Sequence, residues 1–251
     1  MAPSTTSVAI VTGGASGIGE ESVRSLAHRG WTVVVADLDI DRAHHLATEL
    51  VDDGAIVEAM ATDVTDPDAC QRLVGTTVER HGRLDAAVNN AGISGALLPT
   101  ADYPVDEWRR VLTTNLDGTF YCLRSQLPVM QRQGHGRVVN VASILGAVGF
   151  AGLPAYVAAK HGVVGLTKQV AQEYAAQGLR VNAVGPGFVR TPLLDRPEMT
   201  DELIGMLEQM HPIGRLGAPD EIGEVVAWLC SDAPAFLNGA YIPVDGGYLT
   251  R

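Results

Sequence analysis

Hydrophobic residues along the chain gather into short, near-continuous runs, separated by longer stretches in which they recur every three or four positions. The short runs are "VAIVTG" at 8–13, "WTVVVAD" at 31–37, "AIVEAMATD" at 55–63 and "LDAAVNNAG" at 84–92. Three more follow, "GRVVNVAS" at 136–143, "LRVNAVGPG" at 179–187 and "AYIPVDGG" at 240–247. Most are rich in Val, Ile, Ala and Leu, as strands covered on both faces are. The longer stretches read as helices, and Gly30, Gly54, Gly82 and Gly178 stand where a left-handed residue ends a helix. Repeated strand–helix alternation predicts an α/β fold, a doubly wound parallel sheet of about seven strands with helices on both faces. No linker, repeat or low-complexity tract divides the 251 residues, so 1–251 is expected to form a single domain.

Composition narrows the partners. Lys plus Arg is 18 against 29 for Asp plus Glu, a net charge of −11. An acidic surface repels phosphate backbones and anionic lipid, which argues against nucleic-acid and membrane-surface binding. Cys70, Cys122 and Cys230 are sparse, form no CxxC and read as small buried hydrophobes in a reducing compartment. The histidines show no HxxxH or HExxH spacing, and His44-His45 reads as solvated, so no catalytic metal is expected. The start "MAPSTTSVAIV" has neither a basic region nor an apolar signal segment, and no run reaches the length of a membrane span. A soluble, cytoplasmic protein is expected.

In a doubly wound sheet, ligands bind beyond the carboxyl ends of the strands, where the strand order reverses. There, after the first run, lies Thr12-Gly13-Gly14-Ala15-Ser16-Gly17-Ile18-Gly19. Gly13 can make the tight turn, Gly17 lets backbone approach a pyrophosphate, and Gly19 lets the helix pack close to the sheet. The spacing is GxxxGxG, and no Gly-Lys-Ser/Thr follows, which excludes a P-loop. Asp37 ends the second run, where a carboxylate can accept hydrogen bonds from a ribose diol. Farther on, "PAYVAAKHG" sets Tyr156 and Lys160 one helical turn apart with only small or apolar residues between them. Alone, such a pair is a surface tyrosine beside a snorkelling lysine.

Taken together, the motifs give more than each alone. The chain resembles the short-chain dehydrogenase/reductase family over essentially its whole length. The resemblance rests on Thr12-Gly13-x-x-x-Gly17-x-Gly19, Asp63-Val64, Asn89-Asn90-Ala91-Gly92, Asn115, Ser143, Tyr156-x-x-x-Lys160, and Pro186-Gly187 with Thr191. It implies a Rossmann-type sheet and a nicotinamide-dependent oxidoreductase with Asn115, Ser143, Tyr156 and Lys160 as catalytic tetrad. It also implies that Gly13, Ser16, Gly17, Ile18, Gly19 and Asp37 hold the cofactor, with Asp63, Val64 and Asn90. Ala91, Gly92, Pro186, Gly187, Val189 and Thr191 are expected near its ribose, nicotinamide and pyrophosphate, together with Tyr156 and Lys160. A homotetramer is implied as well. The apolar C-terminal "GAYIPVDGGYLT", with little helix beyond it, agrees with an interface.

Moving a hydride from an alcohol carbon also requires removing the hydroxyl proton. A tyrosine with its reference pKa of about 10 needs about 4 kcal/mol to act as a base near neutrality. An ammonium roughly 5 Å away supplies about 3 kcal/mol of that at an effective dielectric near 20. Tyr156 is thus expected to carry the proton and Lys160 to tune it. Ser143 would donate to the substrate oxygen. Asn115, a poor helix former within the helical stretch 104–131, is expected to mark a break that anchors a water leading from Lys160.

NAD is the expected cofactor, because Asp37 repels a ribose 2′-phosphate and no cation stands in the glycine loop. The expected reaction interconverts a secondary alcohol and a ketone. The alternatives are an NADPH-dependent 3-oxoacyl-thioester reductase, which would favour a basic residue where Ala15-Ser16 stand, and a non-catalytic nucleotide-binding module. A serine hydrolase fits poorly, since Ser143 lies in "VASIL" and not in GxSxG. Segment 188–216 is long for a connection, and Leu203, Ile204, Leu207 and Met210 make a helical stripe that reads either as core or as a lid. With Ile93, Leu145, Ala147 and Leu153 it suggests a mostly apolar substrate pocket.

Overall fold

A computed structural model gives the structure of the chain and describes residues 6–194 and 199–250. The seven apolar runs form seven strands: β1 Val8–Thr12, β2 Thr32–Asp37, β3 Ile56–Ala61, β4 Ala86–Asn89, β5 Gly136–Val141, β6 Leu179–Pro186 and β7 Tyr241–Val244. They make one parallel sheet in the order β3-β2-β1-β4-β5-β6-β7. The strands are shorter than the apolar runs, most clearly β4, which stops at Asn89. Residues beyond the strand ends leave the ladder and turn toward ligand space.

Eight helices flank the sheet among the described residues. They are α1 Gly17–His28, α2 Ile40–Asp52, α3 Pro67–His81, α4 Val105–Leu112, α5 Gly118–Gln133, α6 Pro154–Tyr174, α7 Asp201–Gln209 and α8 Pro219–Cys230. Alternate residues of each strand feed opposite cores. Ala9 and Val11 of β1 pack with Val23 and Leu26 of α1 and Ile222 and Val226 of α8. Ile10, between them, joins the other face with Leu73 of α3, Leu123 and Leu127 of α5 and Val170 of α6. The sheet is covered on both sides, as its apolar runs require. The expected helix-ending glycines all have positive φ: Gly30 at 78°, Gly54 at 91°, Gly82 at 77° and Gly178 at 85°.

The stretch expected as one helix from 104 to 131 is interrupted. Between α4 and α5, Thr113–Asp117 forms a wider turn of i→i+5 helix with Asn115 at its centre. The expected break is therefore present, and it bulges without ending the rod. His44 and His45 are exposed on α2. Among the described residues no helix is long and apolar enough to cross a membrane, and no cluster of three or more His, Cys, Asp or Glu could hold a metal ion.

Candidate active site

Strand order reverses between β1 and β4, and a large cavity opens at that switch. It holds about 690 Å³ and runs from Asp37 and Leu38 past the glycine loop to Ser143, Tyr156 and Lys160. Nearly every residue expected to bind cofactor lines it, with Gly13, Ser16, Gly17 and Ile18 along one edge. Asp63, Val64, Asn90, Ala91 and Gly92 line it too, as do Pro186, Gly187, Val189 and Thr191. Gly19 and Asn115 do not line it and act from behind.

The glycine loop is fixed by its neighbours. Gly13 has φ of 60°, and a Cβ there would stand 2.8 Å from the Ala91 Cα. A Cβ on Gly19 would collide with the Gly13 carbonyl and the Asn90 amide, so this glycine permits close packing and does not itself face the cavity. Asn90 Nδ2 donates to the carbonyls of Thr12 at 3.1 Å and Gly13 at 2.9 Å, tying the two strands together at the switch. Ser16 stands at the N-cap of α1 and makes no capping bond with its hydroxyl. An anion placed there would meet the positive end of α1. Asp37 Oδ2 accepts from Ala15 N at 2.9 Å and Oδ1 from Asp39 N at 3.0 Å, which holds the carboxylate at the cavity's far end. Asp63 is held in turn by Thr65, through the backbone N at 2.8 Å and the hydroxyl at 2.7 Å.

At the other end Pro154 opens α6, which presents Tyr156 and Lys160 on one face. Lys160 is only 4% exposed; its ammonium donates to the Val141 carbonyl at 2.7 Å and lies 5.5 Å from the Tyr156 ring centre. Tyr156 is partly exposed as a residue, but its phenol end is enclosed and hydrogen-bonded by Ser143. Ser143 also caps the short turn Ile144–Gly146 by accepting from Leu145 N at 3.2 Å, so the cap coexists with the bond to Tyr156.

Asn115, 1% exposed at the centre of the expected break, turns its side chain to the segment after β4. Its Oδ1 accepts from Ile93 N at 2.8 Å and its Nδ2 donates to Ile93 O at 2.7 Å. The amide thereby pins the segment after β4.

Burial governs the electrostatics in a way the sequence does not reveal. It pushes the Tyr156 phenol up to about 12, with the Ser143 hydrogen bond acting the other way, and pushes Lys160 down to about 8. Burial disfavours the charged form of both groups, which is why the two shifts run in opposite directions. This yields a stability prediction. Between about 8 and the usual lysine value near 10.5 the unfolded chain holds a proton that the folded protein has released, so Lys160 makes stability rise with pH there and destabilises most below pH 8. Lys160→Met should therefore stabilise the protein by about 2 kcal/mol at pH 7, after allowing for the lost Val141 bond. Urea denaturation at pH 7 and pH 10 checks this; an advantage that does not shrink at the higher pH refutes it.

The residues not anticipated from sequence are mostly apolar or aromatic. Leu97, Phe150, Phe188, Leu193 and Leu194 line the Tyr156 end with Ile93, Leu145, Leu153, Leu203 and Leu207, while Ala147, Ile204 and Met210 do not line it. Half of the α7 stripe is cavity wall. Residues 195–198 of the expected lid lie outside the described residues. Phe188 could have been found from its place directly after Pro186-Gly187; Phe150 carried no pattern.

A family model described as enoyl-(acyl carrier protein) reductase matches residues 13–249. The chain belongs to the short-chain dehydrogenase/reductase family. Within this family of oxidoreductases it is 40% identical over 244 residues to the cyclohexanol dehydrogenase of Acinetobacter sp. (strain SE19), covering 97% of this chain and 95% of that one. It is 44% identical over 241 residues to the cis-4-hydroxycyclohexanecarboxylate dehydrogenase of Sinomonas cyclohexanicum, covering 96% of each. A crystal structure of actinorhodin polyketide ketoreductase with NADPH superposes with a TM-score of 0.93 at 36% identity, covering 99% of each chain.

Proposed function

We propose that the protein is an NAD(H)-dependent oxidoreductase that interconverts a secondary alcohol and a ketone, with an alicyclic six-membered ring as the substrate body. The observation that carries this reading is the enclosed Tyr156 phenol, bonded to Ser143 and 5.5 Å above Lys160, in the same cavity as Asp37 and the glycine loop. The nicotinamide would accept or donate the hydride. Gly13, Ser16, Gly17, Ile18 and Asp37 would hold the dinucleotide, with Asp63, Val64 and Asn90 beneath it and Thr191 beside it.

The chain's own residues handle the proton. With its phenol pushed up to about 12, Tyr156 is protonated at neutral pH and ready to donate to a ketone oxygen. The Ser143 hydroxyl, fixed by Leu145 N, orients that oxygen and stabilises its developing charge. The apolar wall of Leu145, Leu153, Phe188 and Leu207 keeps water from the reacting carbon and fits a saturated ring. The ring follows from this wall together with the names of the two dehydrogenase relatives.

A second reading, an NADPH-dependent 3-oxoacyl-thioester reductase, draws on the family description and on NADPH in the polyketide ketoreductase. Asp37, with no cation in the adjacent glycine loop, weighs against it. A homotetramer remains part of the proposal: Trp108 and Phe120 lie exposed on α4 and α5, and light scattering reads the mass. Cyclohexanol, linear secondary alcohols, sugars and a 3-hydroxyacyl thioester, each offered with NAD and NADP, test the function through absorbance of the reduced cofactor. Cyclohexanol with NAD should be among the best pairs; turnover of the thioester alone would select the second reading.

A further inference from the structure

His211 follows α7 and is 3% exposed, and neither the motifs nor the proposed chemistry uses it. Its Nδ1 lies 2.7 Å from the Leu207 carbonyl, which can only accept, so Nδ1 carries the proton. The Nε2 lone pair then receives the Phe188 backbone N–H at 3.2 Å. One ring therefore joins Leu207, inside α7, to Phe188, just beyond β6, and both residues line the cavity.

Two further contacts show how closely this joint is built. A Cβ on Gly187 would stand 2.7 Å from the His211 Nε2, so this ring leaves no room for a side chain in Pro186-Gly187. The Phe188 ring meets His211 edge-on at 5.9 Å and Phe150 at 5.4 Å, and it packs in the cluster that contains Leu145, Leu153 and Tyr156. Displacing Phe188 thus moves the wall directly beside the phenol.

We propose that His211 is a positioning residue that locks α7 and Phe188 into one substrate-facing wall, and so sets the fit of the substrate without touching it. The proposal rests on the reading of this cavity as the substrate site. An acceptor at the Nε2 position is the essential feature. Glutamine can place its Oε1 there, whereas leucine fills the volume with nothing to receive the Phe188 N–H.

The test has two independent readouts. In His211→Leu, KM for cyclohexanol should rise about tenfold while kcat stays within about threefold, and His211→Gln should keep KM within about threefold of the parent. Without any substrate, hydrogen exchange at the Phe188 amide and along α7 should quicken in His211→Leu but not in His211→Gln, with β6 as internal control. An unchanged KM in His211→Leu overturns the proposal, as does unchanged exchange at Phe188 or an equal loss in both variants. If the parent turns over no alcohol while Phe188 exchange responds as expected, the functional reading fails and the clamp is upheld.

Discussion

Tyr156→Phe is expected to lower kcat by about three orders of magnitude, the middle of the range that one general acid–base group contributes. Phenylalanine keeps the ring that packs in the cluster with Leu145 and Leu153 and the face 5.5 Å from the Lys160 ammonium. Only the proton and the Ser143 hydrogen bond are lost, so dinucleotide affinity, read by titration of the protein alone, should change little. The direction of reaction adds a sign. With the phenol pushed up to about 12, ketone reduction finds its acid ready at neutral pH, whereas alcohol oxidation needs the deprotonated form. Burial thus favours the protonated phenol, and positive charge brought beside it would favour the deprotonated form that oxidation uses. Oxidation should accelerate with rising pH and reduction should slow. A phenylalanine variant with near-normal turnover would remove Tyr156 from the mechanism.

The second large effect concerns the choice of dinucleotide. NADP adds to NAD a ribose 2′-phosphate with nearly two negative charges, and Asp37 is held where that ribose would lie by its bonds to Ala15 N and Asp39 N. Each carboxylate oxygen keeps a lone pair for a ribose hydroxyl and none of its charge is neutralised by a cation in Gly13–Gly19. Two like charges about 4 Å apart repel by about 4 kcal/mol at an effective dielectric near 20. Solvent screening reduces this, and about 1.4 kcal/mol already suffices for the tenfold preference for NAD in kcat/KM that we expect. Asp37→Asn is the informative variant, because it removes charge while leaving an acceptor for Ala15 N. Its NADP kinetics should improve about tenfold relative to NAD. Equal use of both cofactors by the parent, or an unchanged ratio in the variant, would show that Asp37 does not face the 2′ position.

Most of the architecture was legible because it is written in local patterns. The seven strands are apolar runs, and Gly30, Gly54, Gly82 and Gly178 mark helix ends through a conformation that other residues resist. Where chemistry gathers was legible too, since a doubly wound sheet places ligands at its switch point, and the glycine loop, Asp37, Asn90, Ser143 and Tyr156 all stand at strand or helix ends there. The role of Asn115 was only half visible. Its poor helix propensity marks the bulge, but its partner Ile93 is 22 residues away, and no spacing rule reaches that far. His211 and Phe150 were missed for the same reason: they meet the site only through the tertiary fold. The opposed shifts of Tyr156 and Lys160 come from burial, which spacing along a helix does not report.

The bulge at Thr113–Asp117 has a consequence beyond holding Ile93. An α-helix advances about 100° per residue, so a turn that closes one residue later offsets the angular phase of everything that follows. α4 and α5 can therefore share one rod while each keeps its own heading: α4 aims Arg110 at the cavity, and α5 sends Leu123 and Leu127 into the core beneath the sheet. Deleting a single residue here would bring the rod into one phase and rotate one of those two faces out of place. The bulge works as a coupling between two shafts.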